Sequence, residues 1–272
     1  MGDPAEIDSG HNWEDQRSTY DALRATCAVA REDGTWLVLR HAEVVAAATD
    51  AEAFSSKVTA RRAIPNSLDG TDHAAYRALV DRYLTEERVA REEPQCRAHA
   101  AAIVDALPRG ETVKTIAQIG TPYAVRTQST WLGWPADLEE ELIAWIRDNH
   151  AATRSGDRQR TAEVAERFDQ MIRVLLETRR GAPTTDVTSE LLNDTVEGGR
   201  PLTTEEIVSI LRNWTAGDLG SLATSVGVIV HFLATNPNIQ RDVRTLVAAS
   251  DRAALAAAAE EILRIDDPFV SN

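Results

Sequence analysis

The run from Thr203 to Thr235 constrains this chain more than any other stretch. Thr203 and Glu206 stand in the three-residue spacing of a capping box, directly ahead of Ile207. The helical pattern then continues until Asn236-Pro237 stops it, about 32 residues or roughly 48 Å at 1.5 Å per residue. Leu222 to Leu233 is apolar on all sides, which predicts a central, buried rod. In mid-run stands Ala216-Gly217-Asp218-Leu219-Gly220-Ser221, whose glycines each cost about 1 kcal/mol of helix propensity. Two explanations fit glycine there. One is a tight crossing with another helix; the other is a local bulge that lets a group approach the backbone.

The neighbours of this rod read as helices too. From Asp72 onward, helical periodicity marks Ala74–Tyr83, Arg88–Leu107, Lys114–Leu132, Leu138–Thr153 and Ala162–Arg179. Breaks are expected at Pro94, Pro108-Arg109-Gly110, Gly133-Trp134-Pro135 and Gly181-Ala182-Pro183. Before residue 71 the pattern differs. Tyr20 to Arg31 reads as a short helix followed by an extended piece, Asp33-Gly34 as a turn, and Thr35 to Arg40 as a strand, so a hairpin is expected. His41–Thr49 and Ala51–Phe54 read as helix, and Arg61–Gly70 as a loop. No fixed-period repeat or low-complexity linker divides the chain. The expectation is a mainly α protein with a small N-terminal β-sheet, a single domain over 1–272, with the β-region in 1–70 and helices over 71–272.

Composition removes several function classes. The formal net charge is −14, which disfavours binding to a phosphate backbone. No basic amphipathic segment suits a membrane surface. Met1 to Tyr20 lacks a signal-peptide pattern, and Leu222–Ala234 is too short to cross a bilayer. A cytoplasmic protein acting without nucleic acid or membrane is therefore expected. The two cysteines, Cys27 and Cys96, permit no disulfide framework or cysteine-rich zinc site. No metal-binding H-E-x-x-H, phosphate-binding loop, dinucleotide fingerprint or G-x-S-x-G elbow is present.

Three spaced pairs or loops carry chemistry. His73 and Arg77 stand at i, i+4 on one helix face, and two cations aimed together suit an anionic ligand group or, as plainly, solvent. Glu261 and Arg264 stand at i, i+3 among Ile262, Leu263 and Ile265, where a buried pair would need further hydrogen bonds. Arg61-Arg62 in the loop before Ile64-Pro65 offers charge to a carboxylate. His41, His99 and His150 have no partner at ligand spacing and read as structural or exposed.

The order of these features resembles that of the bacterial cytochrome P450 family over nearly the whole chain. The resemblance rests on Asp72-His73-Ala74-Ala75-Tyr76-Arg77, Leu132-Gly133-Trp134-Pro135, Leu202 to Ile207, the break at Ala216 to Ser221, and Glu261-x-x-Arg264. It implies haem b as cofactor, with His73 and Arg77 on the propionates and Ala216 and Gly217 over the distal haem face. It implies that Glu261 and Arg264 form a buried pair organising the proximal side. The loop bearing Arg61, Arg62, Ile64 and Pro65 would cover the substrate pocket, with Ala216 and Ser221 facing it. The implied activity is insertion of one atom of dioxygen into a small apolar organic substrate, with electrons from a ferredoxin-type donor.

Two departures from the family pattern follow. An acid followed by a hydroxyl residue is expected at the break for proton delivery. Here Gly220 takes the acid position, Ser221 takes the hydroxyl position, and Asp218 supplies a carboxylate two residues early. Asp218 and Ser221 are the catalytic candidates. The family's cysteine ligand lies in a glycine-rich loop well beyond Glu-x-x-Arg, whereas this sequence ends at Asn272; no metal ligand is expected within it. The chain therefore reads as the N-terminal and middle portion of a P450 fold, truncated before the proximal cysteine loop. The alternative is a naturally short, thiolate-less helical binding or partner protein, which would cover its exposed apolar surface by self-association.

Overall fold

The computed structural model describes residues 5–6, 16–32, 34–58 and 61–265. Its backbone divides into two compact units, Met1–Arg61 with Ser67–Asp72, and Arg62–Asn66 with His73–Asn272.

The first unit holds β1 (Ala5–Glu6), α1 (Gln16–Thr26), β2 (Val29–Glu32), β3 (Thr35–Val38) and α2 (His41–Thr49). β2 and β3 pair antiparallel with Val29 opposite Val38 and Glu32 opposite Thr35. The turn between them uses Gly34 at φ +81°, a left-handed conformation that glycine adopts without a Cβ clash. β1 adds to β2 in parallel, giving a three-stranded sheet. The Arg40 guanidinium donates twice, at 3.1 Å, to the Arg24 carbonyl at the end of α1. Ala51–Phe54 departs from the helix expected there and forms turns. The Asp50 carboxylate accepts from the Ala53 N–H at 3.1 Å, offering the backbone a local alternative to helix.

The second unit is helical. It comprises α3 (Gly70–Asp81, whose first turn belongs to the first unit), α4 (Glu86–Asp105), α5 (Thr121–Leu132), α6 (Glu139–Ser155) and α7 (Arg158–Gly181). α8 (Val187–Leu192), α9 (Thr204–Arg212), α10 (Asp218–Thr235), α11 (Pro237–Ala249) and α12 (Arg252–Ile265) complete it. Pro94 does not break the chain but sits inside α4, placing Cys96 in mid-helix rather than at a helix start. The proline lies on an exposed face; it removes one backbone hydrogen bond of the helix and crowds the carbonyl one turn earlier.

The core gathers around α7. Phe168 is fully buried and stacks on Trp145 with centroids 4.1 Å apart. The indole N–H groups are satisfied, Trp145 by the Val164 carbonyl at 3.0 Å and Trp134 by Thr188 Oγ1 at 3.1 Å. Ile172, Leu176, Leu191, Ile207, Ile210 and Leu211 complete the cluster, each at most 1 % exposed. Burying one such side chain contributes about 1.5–3 kcal/mol.

Residues 204–235 run as one helical stretch, α9 and α10 joined through a π-turn at Asn213–Gly217. Both capping-box bonds form at Thr203 and Glu206. The second half departs from the expected all-round burial. Only Leu219, Ala223 and Gly227 of α10 are buried, because one stripe faces the Ile116–Gly120 π-turn and α5 while the other faces stay partly open. The whole stretch of 32 residues, with an 18-residue window of mean hydropathy 1.4, is long and apolar enough to cross a bilayer by length and composition. Its α9 half nevertheless carries Glu206 and Arg212 into polar clusters with other helices of the unit.

Glu206 joins three elements. Its carboxylate accepts from Arg200 at 2.8 and 2.9 Å, from the Thr203 N–H at 2.8 Å, and from the Tyr76 hydroxyl of α3. Burial alone would raise its pKa, but Arg200, Tyr76 and Thr203 together hold it down at about 2. A folded pKa below the unfolded value stabilises above that unfolded value and is lost as pH falls toward the folded one. Urea unfolding should therefore show stability declining from pH ~4.5 toward 2, and Glu206→Gln should flatten this decline. An unchanged acid limb in the variant would remove the assignment.

Candidate functional site

The centre of the second unit is the π-turn at Asn213–Gly217. A π-turn shifts the carbonyl register by one, so orphaned backbone groups need side-chain partners. Here the partner is Gln128 of α5, 8 % exposed, whose amide donates to the Trp214 carbonyl at 2.6 Å. Thr215, fully buried, closes back onto the Leu211 carbonyl at 2.6 Å. The Trp214 ring is wedged between Trp131 and Tyr83, with centroids 5.0 and 5.5 Å away. The bulge explanation for the glycine-rich stretch thus applies at Gly217, which is exposed with no atom within 4 Å of where a Cβ would stand. The tight-crossing explanation applies further along, where Gly227 backs onto Ile116 and Gly120 of the other π-turn backs onto Ala223.

Asp218 opens from the break into a cavity of about 570 Å³ between α4 and α5, walled by Tyr83, Cys96, Gln128, Trp131 and Trp214. Desolvation by these walls pushes its pKa up to about 6, although part of the side chain remains open to water. It therefore changes between acid and carboxylate near physiological pH. Ser221 turns inward, donating to the Asp218 carbonyl of its own helix at 3.2 Å. Cys96 is half-buried, and burial together with Glu92 pushes its thiol up, away from thiolate.

The other predicted residues are placed as follows. His73 and Arg77 share one face of α3, His73 half-buried and Arg77 exposed. Arg77 holds Asp81 at 2.6 Å, while His73 has no hydrogen-bond partner among the described residues. Arg62 lies over the Tyr76 ring at 5.4 Å. Ile64 is fully buried and its N–H donates to Ser209 Oγ at 3.0 Å, and Pro65 is buried beside it, so this end of the loop is anchored. Ser209 in turn donates to the Arg62 carbonyl at 2.9 Å, and Arg212 donates to the same carbonyl at 2.6 Å. Arg61 is half-buried. Ala216 is half-buried beside the open Gly217. Glu261 and Arg264 pair through two bonds of 2.7 Å but are 56 % and 69 % exposed, unlike the buried pair expected; only Ile262 between them is buried. Sequence reading missed Gln128, since nothing in a glutamine at that position announces a π-turn carbonyl across the fold. His150, expected to be structural or exposed, is half-buried and packs beside Gly220 of α10.

No protein-family model matches the chain. Among curated proteins it is 28% identical over 240 residues to the "Probable cytochrome P450 127A1" of Sinorhizobium fredii, covering 85% of this chain and 56% of that relative. It is 27% identical over 283 residues to the vitamin D(3) 25-hydroxylase of Pseudonocardia autotrophica, covering 96% of this chain and 66% of the relative. The bottromycin biosynthetic protein SalCYP superposes with a TM-score of 0.80 at 22% identity, over 99% of this chain and 68% of that structure. This chain is a homologue of the bacterial cytochrome P450s and carries their fold. A P450 EryK mutant in complex with erythromycin B agrees, with a TM-score of 0.78 at 23% identity over 91% of this chain and 64% of that structure. The match spans less than two thirds of the length of each of the two curated relatives above, 56% and 66%.

P450 homology implies a haem, and the residues present fit part of one. An imidazole and a guanidinium on one helix face suit a pair of propionates, and the space beside the Gly217 backbone is open. The axial donor does not fit. Cys96 is held toward the neutral thiol, and Cys27 donates its thiol to the Leu23 carbonyl at 3.5 Å within the other unit. Among the described residues no group of three or more His, Cys, Asp or Glu is arranged to hold a metal ion.

Proposed function

We propose that this chain forms the N-terminal and middle part of a haem monooxygenase that inserts one atom of dioxygen into a small apolar organic substrate in the cytoplasm. The observation that carries the reading is the break at Asn213–Gly217, a π-turn held open by a buried glutamine within a P450 fold. Haem, when bound, supplies oxygen activation, and the thiolate that serves it comes from polypeptide outside these 272 residues. His73 and Arg77 bind the propionates, Arg77 exchanging its exposed contact with Asp81 for the stronger pairing. The Ala216–Gly217 edge admits the ring. Arg62, Ile64 and Pro65 fix one wall of the substrate region, and Arg61 and Arg62 favour substrates bearing a carboxylate. Glu261 and Arg264 organise the proximal side, and their pair becomes buried only when that side is covered. Asp218 and Ser221 border the break, Asp218 able to hold a proton near neutral pH. A ferredoxin-type protein supplies electrons.

Two measurements test this. The coding sequence after the Asn272 codon should continue into a glycine-rich loop bearing a cysteine, and an immediate stop codon overturns the reading. Hemin titration of the chain, followed by absorbance, should show about tenfold weaker binding when His73 and Arg77 are both replaced by alanine, since 1.4 kcal/mol is a factor of ten. Equal retention of hemin by the double variant would reject the propionate assignment.

A further inference from the structure

We propose that the cavity beside the α9–α10 break is a binding site for an organic cation, a protonated amine or quaternary ammonium carried on an aromatic or branched apolar body. The site lies wholly within the second unit and does not depend on haem. Its volume of about 570 Å³ falls in the range of small-molecule pockets, about 300–1,000 Å³. One wall is aromatic. Trp131 of α5 is half-buried, and its ring stands 5.0 Å from that of Trp214, which Tyr83 backs at 5.5 Å. Leu84 and Val89 also line the cavity and remain exposed, although both are large and apolar.

The charged lining leaves one sign uncompensated. Glu86 and Glu92 of α4 and Asp218 of α10 border the cavity. Among the described residues none of these three carboxylates holds a cation or a hydrogen-bond donor. Arg252, the one cation of the lining, is committed to Glu93 through bonds of 2.8 and 2.9 Å. Elsewhere on α4 and α5 the pairs are complete, Arg88 with Glu190 and Arg126 with Glu139. Desolvation raises the Asp218 pKa and no positive charge offsets it; an ammonium group there supplies the missing countercharge. Aromatic faces attract the same charge, because the ring quadrupole turns negative potential toward a cation, most strongly for tryptophan. The chain already does this on Tyr83, over which the Arg88 guanidinium lies at 4.9 Å. An anionic ligand would meet three unpaired carboxylates, and a neutral one would leave them unpaired.

Calorimetric titration of the whole chain at neutral pH tests this with probes of similar size. They are benzyltrimethylammonium, its uncharged carbon analogue neopentylbenzene, and phenylacetate. Benzyltrimethylammonium should bind at one site, neopentylbenzene about tenfold more weakly, and phenylacetate not at all. Asp218→Asn, which keeps the side chain's shape, should weaken the cation about tenfold and leave neopentylbenzene unchanged. Trp131→Leu, which keeps an apolar wall, should cost the cation more than the neutral probe. The ratio of the two probes within one variant separates loss of the site from loss of the fold. Glu163→Gln removes the same charge from an exposed face of α7 and should change neither probe. Equal affinity for the cation and neopentylbenzene overturns the proposal, as does failure of the cation to bind or an unchanged affinity in Asp218→Asn. The protein extended to its natural stop codon must give the same result. Loss of binding there means that further polypeptide fills the cavity, and overturns the proposal too. No arm uses haem, so the haem reading stands or falls separately.

Discussion

Gly120→Ala should lower the unfolding free energy by about 2–3 kcal/mol, the upper part of the range for overpacking. Helix propensity alone predicts the opposite sign, since alanine exceeds glycine by about 1 kcal/mol inside a helix. The sign is reversed by space. Gly120 has an ordinary helical φ of −62°, so its conformation is open to any residue. A Cβ there would come within 2.0 Å of the Ala223 carbonyl oxygen and 2.9 Å of its carbon. Those are backbone atoms of α10 and cannot rotate aside, so the helices must separate at the crossing that sets α10 against α5. Gly181, at the exposed end of α7 with nothing within 4 Å of its Cβ position, is the control. Gly181→Ala should be neutral or stabilising in the same urea titrations. A stabilising Gly120→Ala would show that the crossing is looser than the geometry requires.

Asp169→Ala should cost about 3–5 kcal/mol, the range for breaking a buried ion pair by removing one partner. Arg212 of α9 donates to both Asp169 oxygens at 2.7 Å, and the side chains are 13 % and 5 % exposed. Without the carboxylate, a guanidinium remains in the interior with only the Arg62 carbonyl, at 2.6 Å, as its described partner. The loss therefore spreads to the Arg62–Asn66 loop, which Arg212 and Ser209 tie down together. Limited proteolysis should cut this loop faster in the variant, while Asp169→Asn, which keeps an acceptor, should fall between. Equal stability of Asp169→Ala and the natural sequence, measured by chemical unfolding, would contradict the pairing.

Much of the helical architecture was legible before any coordinates. The capping box at Thr203 and Glu206 is local chemistry, as are the turn at Gly34 and the periodicity of α3 to α7, and each formed as read. Pro94 lies inside α4, where tertiary context overrides the local cost of a proline, and no window of sequence shows that. Ala51–Phe54 was read from propensity alone, and the Asp50 side chain won the competition for its backbone. The candidate site divides in the same way. His73 and Arg77 share a face because helical spacing forces it. Gln128 meets the Trp214 carbonyl and His150 packs beside Gly220, each from a helix distant in sequence, so no window of sequence contains the contact.

The sequence by itself determined the elements: where helices start, which residues share a face, and that glycine marks a special place on the long helix. Only the tertiary structure decided what each glycine is for. Gly217 faces open space, Gly120 and Gly227 admit another helix, and Gly220 receives an imidazole. The physical reason is that spacing along a helix fixes direction relative to its own axis, whereas a glycine's role is set by what occupies the missing side chain's volume. That occupant arrives from elsewhere in the chain, and only packing brings it there.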